Sequence, residues 1–121
     1  GIIILAIFVY GGIALFSGQG SGKYARVEID SGGKKRAFEG EVFDNMTVFQ
    51  ALQAATLAGN LTFSYSMDVD GDKVLVKAIN GYKSDQAKKP PEFYLNSAPL
   101  DVGKINSTPV KSGDHILIVL E

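Results

Sequence analysis

The spacing of apolar positions changes twice along the chain. Residues 2–16, IIILAIFVYGGIALF, are almost continuously apolar and uncharged. From Tyr24 the pattern becomes strict alternation: Ala25, Val27 and Ile29 fall on one face, and Tyr24, Arg26, Glu28 and Asp30 on the other. That is the period of a half-buried strand. Between Thr47 and Gly59 the spacing lengthens to three and four residues. Val48, Leu52 and Ala55, joined by Phe49 and Ala51, predict an amphipathic helix. Thr47 and Gln50 have the spacing of a capping box at its start, worth on the order of 1 kcal/mol. Gly59 is expected to supply a left-handed exit, with Asn60 following as a turn former.

The remaining segments read as strands and turns. Ser31-Gly32-Gly33 marks a hairpin turn, and Lys35 to Phe43 the returning strand, with a bulge or bend expected at Gly40. After the helix, Leu61, Phe63 and Tyr65 alternate with polar residues, and Lys73 to Ile79 forms a further strand closed by Asn80-Gly81. Residues 81–91, GYKSDQAKKPP, read as a charged loop whose prolines precede the strand Glu92 to Asn96. A turn is expected at Ser97-Ala98-Pro99, then a linking segment from Leu100 to Val110 with a turn at Gly103. His115 to Glu121 is apolar on both faces. It therefore reads as a central strand, covered on both sides or paired in the middle of a sheet. These elements define an α+β domain over 24–121: a mixed sheet of about five strands packed on one helix.

The apolar run is read as an N-terminal helix of about 22 Å, set against a hydrocarbon core of roughly 30 Å. Three expectations follow for residues 1–16: a membrane anchor truncated at its start, a signal peptide, or a pilin-like filament-core helix. In each, Ile2, Ile3, Ile4, Leu5, Ile7, Phe8, Val9, Ile13, Leu15 and Phe16 are the membrane- or filament-facing residues. Residues 17–23, rich in Gly and Ser, read as a tether. All three readings place residues 24–121 outside the cytoplasm, at a membrane or cell surface, with self-association expected in the filament case.

Composition narrows the chemistry. The 121 residues carry a formal net charge of −1, without the clustered Lys and Arg of a nucleic-acid footprint. With no cysteine, disulfides, thiolate nucleophiles and cysteine-bound zinc are excluded, and one histidine cannot make a histidine-rich metal site. Asp68, Asp70 and Asp72 have a calcium-like spacing, but the glutamate at the twelfth loop position is missing and Gly71 is out of register. A plain Asp-Gly turn is the better reading. His115 is expected to contact Asp114 or solvent, because no nucleophile or third group accompanies it. No enzyme is predicted. Asn45, Asn60 and Asn106 begin glycosylation sequons, of which Asn106 is the candidate surface acceptor.

The order of hairpin, helix, further strands and a central carboxy-terminal strand is that of the β-grasp. Met46-Thr47-Val48-Phe49-Gln50-Ala51-Leu52, Ile79-Asn80-Gly81-Tyr82, Phe93-Tyr94-Leu95-Asn96 and Ser112-Gly113-Asp114-His115-Ile116 occur in the order seen in one branch of it. Through these pieces the chain resembles the transcobalamin carboxy-terminal-like domains of prokaryotic surface proteins. The resemblance implies a non-catalytic module that binds a ligand or protein partner through Tyr82, Phe93, Tyr94 and Asn96. It implies no cofactor beyond a cobalamin-like ligand. The chain departs from the pattern at Asn96-Ser97, where the family has Asn-Gly, at Phe93 for tryptophan, and at Ser112-Gly113-Asp114 for Asp-Gly-Asp.

Overall fold

The computed structural model describes residues 7–10, 13–16, 24–70 and 73–121. The elements are β1 (Ile7–Tyr10), β2 (Ile13–Phe16), β3 (Tyr24–Ser31), β4 (Lys34–Glu41), α1 (Val48–Ala58), β5 (Phe63–Met67), β6 (Val74–Ile79), β7 (Tyr82–Lys83), β8 (Glu92–Leu95), β9 (Ala98–Leu100), a short 3-10 turn at Val102–Lys104, and β10 (His115–Leu120). The main sheet has the order β1-β2-β4-β3-β10-β8-β9, and β5-β6-β7 form a separate three-stranded sheet. The α+β class and the mixed sheet with one helix are as expected. The second sheet was not.

The main sheet is built around β10, which runs parallel to β3 and antiparallel to β8. Its apolar run is thus explained by a mid-sheet position. Only one face is buried deeply: Ile116, Ile118 and Leu120 are at most 2% exposed, while Leu117 and Val119 are half-buried. The buried face continues through Ala25, Val27 and Ile29 of β3 and Phe38 of β4. Burying each large aliphatic or aromatic side chain contributes about 1.5–3 kcal/mol. Pairing of β3 with β4 passes through Gly40 without a register shift, so no bulge occurs there. The irregularity lies instead between Ser64 and Tyr65.

Helix α1 lies on that face, and both of its ends are closed. The Thr47 hydroxyl accepts from the Gln50 N–H at 3.2 Å, and the Gln50 side chain accepts from the Thr47 N–H at 3.0 Å. The next donors go to the segment read as a plain linker: Val48 N–H to the Thr108 carbonyl at 2.9 Å, and Phe49 N–H to that of Ile105 at 3.0 Å. At the other end the expectation for Gly59 is corrected. Gly59 keeps a right-handed φ of −85°, and it is Asn60 that takes the left-handed position, with φ of 54°. Asn60 N–H then bonds the Leu57 carbonyl and Leu61 N–H that of Thr56, the paired bonds of a Schellman exit. Gly59 serves a different need. A Cβ there would sit 2.6 Å from Cζ of the fully buried Phe38 ring.

The described residues show no apolar helix at the amino terminus. β1 and β2 pair antiparallel, Tyr10 opposite Ile13, and β2 pairs parallel with β4. Ile, Val, Phe and Tyr are strand formers. Residues 1–6 and 11–12, the tether at 17–23, and residues 71–72 of the Asp68–Asp72 turn lie outside the described residues. Among the described residues no helix is long and apolar enough to cross a membrane.

Turns also differ from expectation in one place. Asn96 and Ser97, with φ of 51° and 71°, form the β8–β9 turn, so Ala98 and Pro99 are strand residues. A residue other than glycine in that region costs roughly 1–2 kcal/mol, and Asn is among the least penalised. The close approach at the helix exit yields a test. Gly59→Ala should lower stability by about 1–3 kcal/mol because the buried Phe38 ring must shift to admit the methyl group. Asn60→Gly, which relieves a left-handed residue, should leave the urea midpoint unchanged or raised. A neutral Gly59→Ala would show that the approach is not limiting.

Candidate functional site

Tyr82 is the one resemblance-derived residue placed beside open cavities. The Asn80-Gly81 turn, with φ of 45° and 90°, sets the hairpin that carries it onto β7 opposite Ile79. Its ring is 7% exposed and belongs to the core, while its hydroxyl donates to the Lys89 carbonyl at 2.9 Å. Burial pushes its pKa above the usual tyrosine value. Lys89 also pairs with Glu121 at 3.1 Å, so one residue of the 84–91 loop is held twice. The hydrogen bond to Glu121, then its charge, raises the Lys89 pKa.

Two hollows flank this loop. One, of about 340 Å³, opens between Ser31-Gly32, the Gly81–Lys83 corner and the end of β10 at Leu120-Glu121. The other, of about 320 Å³, lies between Leu75 and Val76 of β6, Val102, and the loop residues from Ser84 to Pro91. Tyr82 and Ala87 line both. Volumes of this size are at the lower end for small-molecule sites, roughly 300–1,000 Å³.

The other resemblance-derived residues lie elsewhere. Phe93 is 2% exposed, opposite Ile118 in the main sheet, and packs in the core. Tyr94, half-buried on the opposite face, donates to Glu92 at 2.9 Å, and that bond, then the carboxylate's charge, raises its pKa. Asn96 stitches its turn to the start of β10: its amide donates to Asp114 at 2.9 Å, and its oxygen accepts from the His115 N–H at 2.8 Å. Phe93 and Asn96 therefore hold the fold, and only Tyr82 lines the hollows. Asn106 is half-buried, and its side-chain oxygen lies 3.3 Å from the Thr47 hydroxyl beside the helix cap.

His115 does not bond Asp114 through its ring. Its Nε2 lies 3.2 Å from Glu28, and Asp114 instead accepts from the Lys111 N–H at 2.7 Å. The outer sheet face there carries Arg26 between Glu28 and Glu39 at 3.9 and 3.8 Å, next to a shallow hollow of about 240 Å³. Arg26 Nε is buried and has no hydrogen-bond partner among the described residues. Among the described residues no group of three or more His, Asp or Glu could hold a metal. Sequence reasoning missed Leu75, Ala87, Lys88 and Val102 as cavity walls. The usable signal was Asn80-Gly81, a hairpin dipeptide that brings the following loop back across β6.

No protein-family model matches the chain, and no curated protein does. Eleven solved chains match in structure. One is a "putative metal binding protein" from Ruminococcus gnavus ATCC 29149, similar at a TM-score of 0.60 with 15% identity, over 82% of this chain and 96% of that one. At that identity the likeness concerns the fold.

The three raised pKa values share a sign. Tyr82 and Tyr94 start from 10.0 and Lys89 from 10.5, and each holds its proton more tightly in the folded chain. Their contribution is therefore complete below those ordinary values and is lost as pH rises through the folded ones. Urea midpoints should fall above about pH 10, and the fall should be shallower in Tyr94→Phe. A midpoint that rises through that range would contradict the assignment.

Proposed function

We propose that this chain is a non-catalytic binding module of the β-grasp type, similar to the transcobalamin carboxy-terminal-like domains, held at the outer side of a membrane. The observation that carries the binding reading is the pair of hollows sharing Tyr82 and Ala87. The β-grasp reading is supported by the order β4-β3-β10-β8, with β3 and β10 parallel at the centre and one helix packed on the sheet. A cobalamin-like ligand does not fit either hollow: a corrin ring with its nucleotide arm exceeds both several-fold, so no role is derived for it. The partner is a smaller molecule or a protruding side chain of another protein. Attachment rests on the uncharged run 2–16 alone.

Two measurements test these parts separately. A thermal-shift screen of the full chain against small metabolites and short peptides should give ligands that raise the melting temperature. At a hundredfold excess over Kd a ligand adds about 2.7 kcal/mol, a rise of roughly 10 °C. Ala87→Leu, which fills the shared wall of both hollows, should abolish the rise while folding normally. Ligands that act equally on this variant would refute the site. For attachment, the full chain should float with phosphatidylcholine vesicles, and the double variant Ile3→Lys, Ile4→Lys, which leaves the paired strands β1 and β2 untouched, should not. A wild-type chain that stays in the lower fraction would refute the tether.

A further inference from the structure

We infer that the hollow between β6 and the 84–91 loop takes a compact apolar group bearing a carboxylate, with the carboxylate at Lys88. The inference rests on the binding reading above and names its ligand class. The apolar side is set by Val76, Val102, Ala87 and the ring faces of Pro90 and Pro91, with Leu75 at the wall 58% exposed to solvent. A large aliphatic left that open beside a concavity gains from being covered.

The charge on the same wall is one-sided. Among the described residues, Lys88 and Lys89 are the ionisable ones on this wall that carry charge at neutral pH, and no carboxylate lines it. Lys89 is paired with Glu121 at 3.1 Å, and the nearby Glu92 accepts from Tyr94 on the other face of the main sheet. Lys88 makes no ion pair among the described residues, so one positive charge is left uncompensated beside an apolar floor. The Tyr82 hydroxyl is committed to the Lys89 carbonyl, which leaves Ser84 as the remaining side-chain hydroxyl on the wall. A cation would be repelled here, and a neutral apolar molecule would leave Lys88 unused. The volume of about 320 Å³ limits the apolar part to a short chain or a single ring.

Octanoate and its neutral counterpart octanol separate the charge from the apolar contribution. Each is titrated into the full ¹⁵N-labelled chain while amide shifts are followed. Octanoate should move the amides of Val76, Ala87, Lys88 and Val102, and bind about three- to fivefold tighter than octanol, the range an exposed ion pair supplies. Lys88→Glu, an exposed change that leaves the fold intact, should erase that preference, and Lys88→Arg should keep it. Equal binding of the two compounds at these amides overturns the carboxylate assignment and leaves the binding reading standing. If neither compound moves these amides, the hollow is not the site of an apolar ligand. Hits from the thermal-shift screen that still depend on Ala87 would then belong to the other hollow.

Discussion

The first turn of α1 presents backbone N–H groups that would be orphaned in a buried setting, and closing them organises much of the molecule. An unpaired buried donor costs about 1–3 kcal/mol, and here several point the same way. Thr47 satisfies one through its hydroxyl, while the carbonyls of Thr108 and Ile105 satisfy two more. Met46 returns the favour by accepting from the Val110 N–H, and Thr47 bridges Pro109. The segment before β10 is therefore fixed to the helix start, with Ile105 fully buried. This also removes the helix start as an anion site, because its donors are already used.

A helix pinned in this way can be buried on more than one side only if its side chains are small. Ala51, Ala54, Ala55 and Ala58 meet that need, and all are at most 6% exposed. The large residues divide between the two sheets. Val48 and Leu52 are fully buried in the common core, while Phe49 meets Phe63 and Tyr65 of β5 at ring distances of 5.8 and 4.8 Å. Thr56, the buried polar residue of the helix, returns its hydroxyl to the carbonyls of Leu52 and Gln53. At the far end Arg36 lies over Phe38 and donates to the Gly59 carbonyl at 3.2 Å, where a cation suits the helix dipole.

What was legible in the sequence was what is encoded locally. Alternation found β3, the capping box found the start of α1, and the double-sided apolar run found the middle of the main sheet. The helix stripe was read too narrowly, since Ala54, Thr56 and Ala58 are buried as well. The left-handed residue was assigned to Gly59 by propensity, but the tertiary need for space over Phe38 claims that glycine and leaves the conformation to Asn60. The amino-terminal run was read by hydropathy, which does not separate a short apolar helix from paired apolar strands. Of the site, only Tyr82 was visible. Its cavity walls come from three separated stretches, whereas alternation on β8 already favoured Phe93 and Leu95 as core and Tyr94 as half-exposed, as the structure has them.

The hollows depend on the 84–91 loop, and the loop's geometry rests unequally on the two bonds at Lys89. The pair with Glu121 is between side chains more than half exposed, so salt screens it and it fixes little. The bond from Tyr82 is to backbone, from a ring held in the core. Pro90 restricts Lys89 to extended backbone, and Pro90 and Pro91 each have φ fixed by their own ring. The Lys89 carbonyl is thereby presented to Tyr82 by a segment with few alternative conformations. A cavity wall so restricted loses little entropy when a ligand enters, which is the condition under which a hollow of this small volume can still bind selectively.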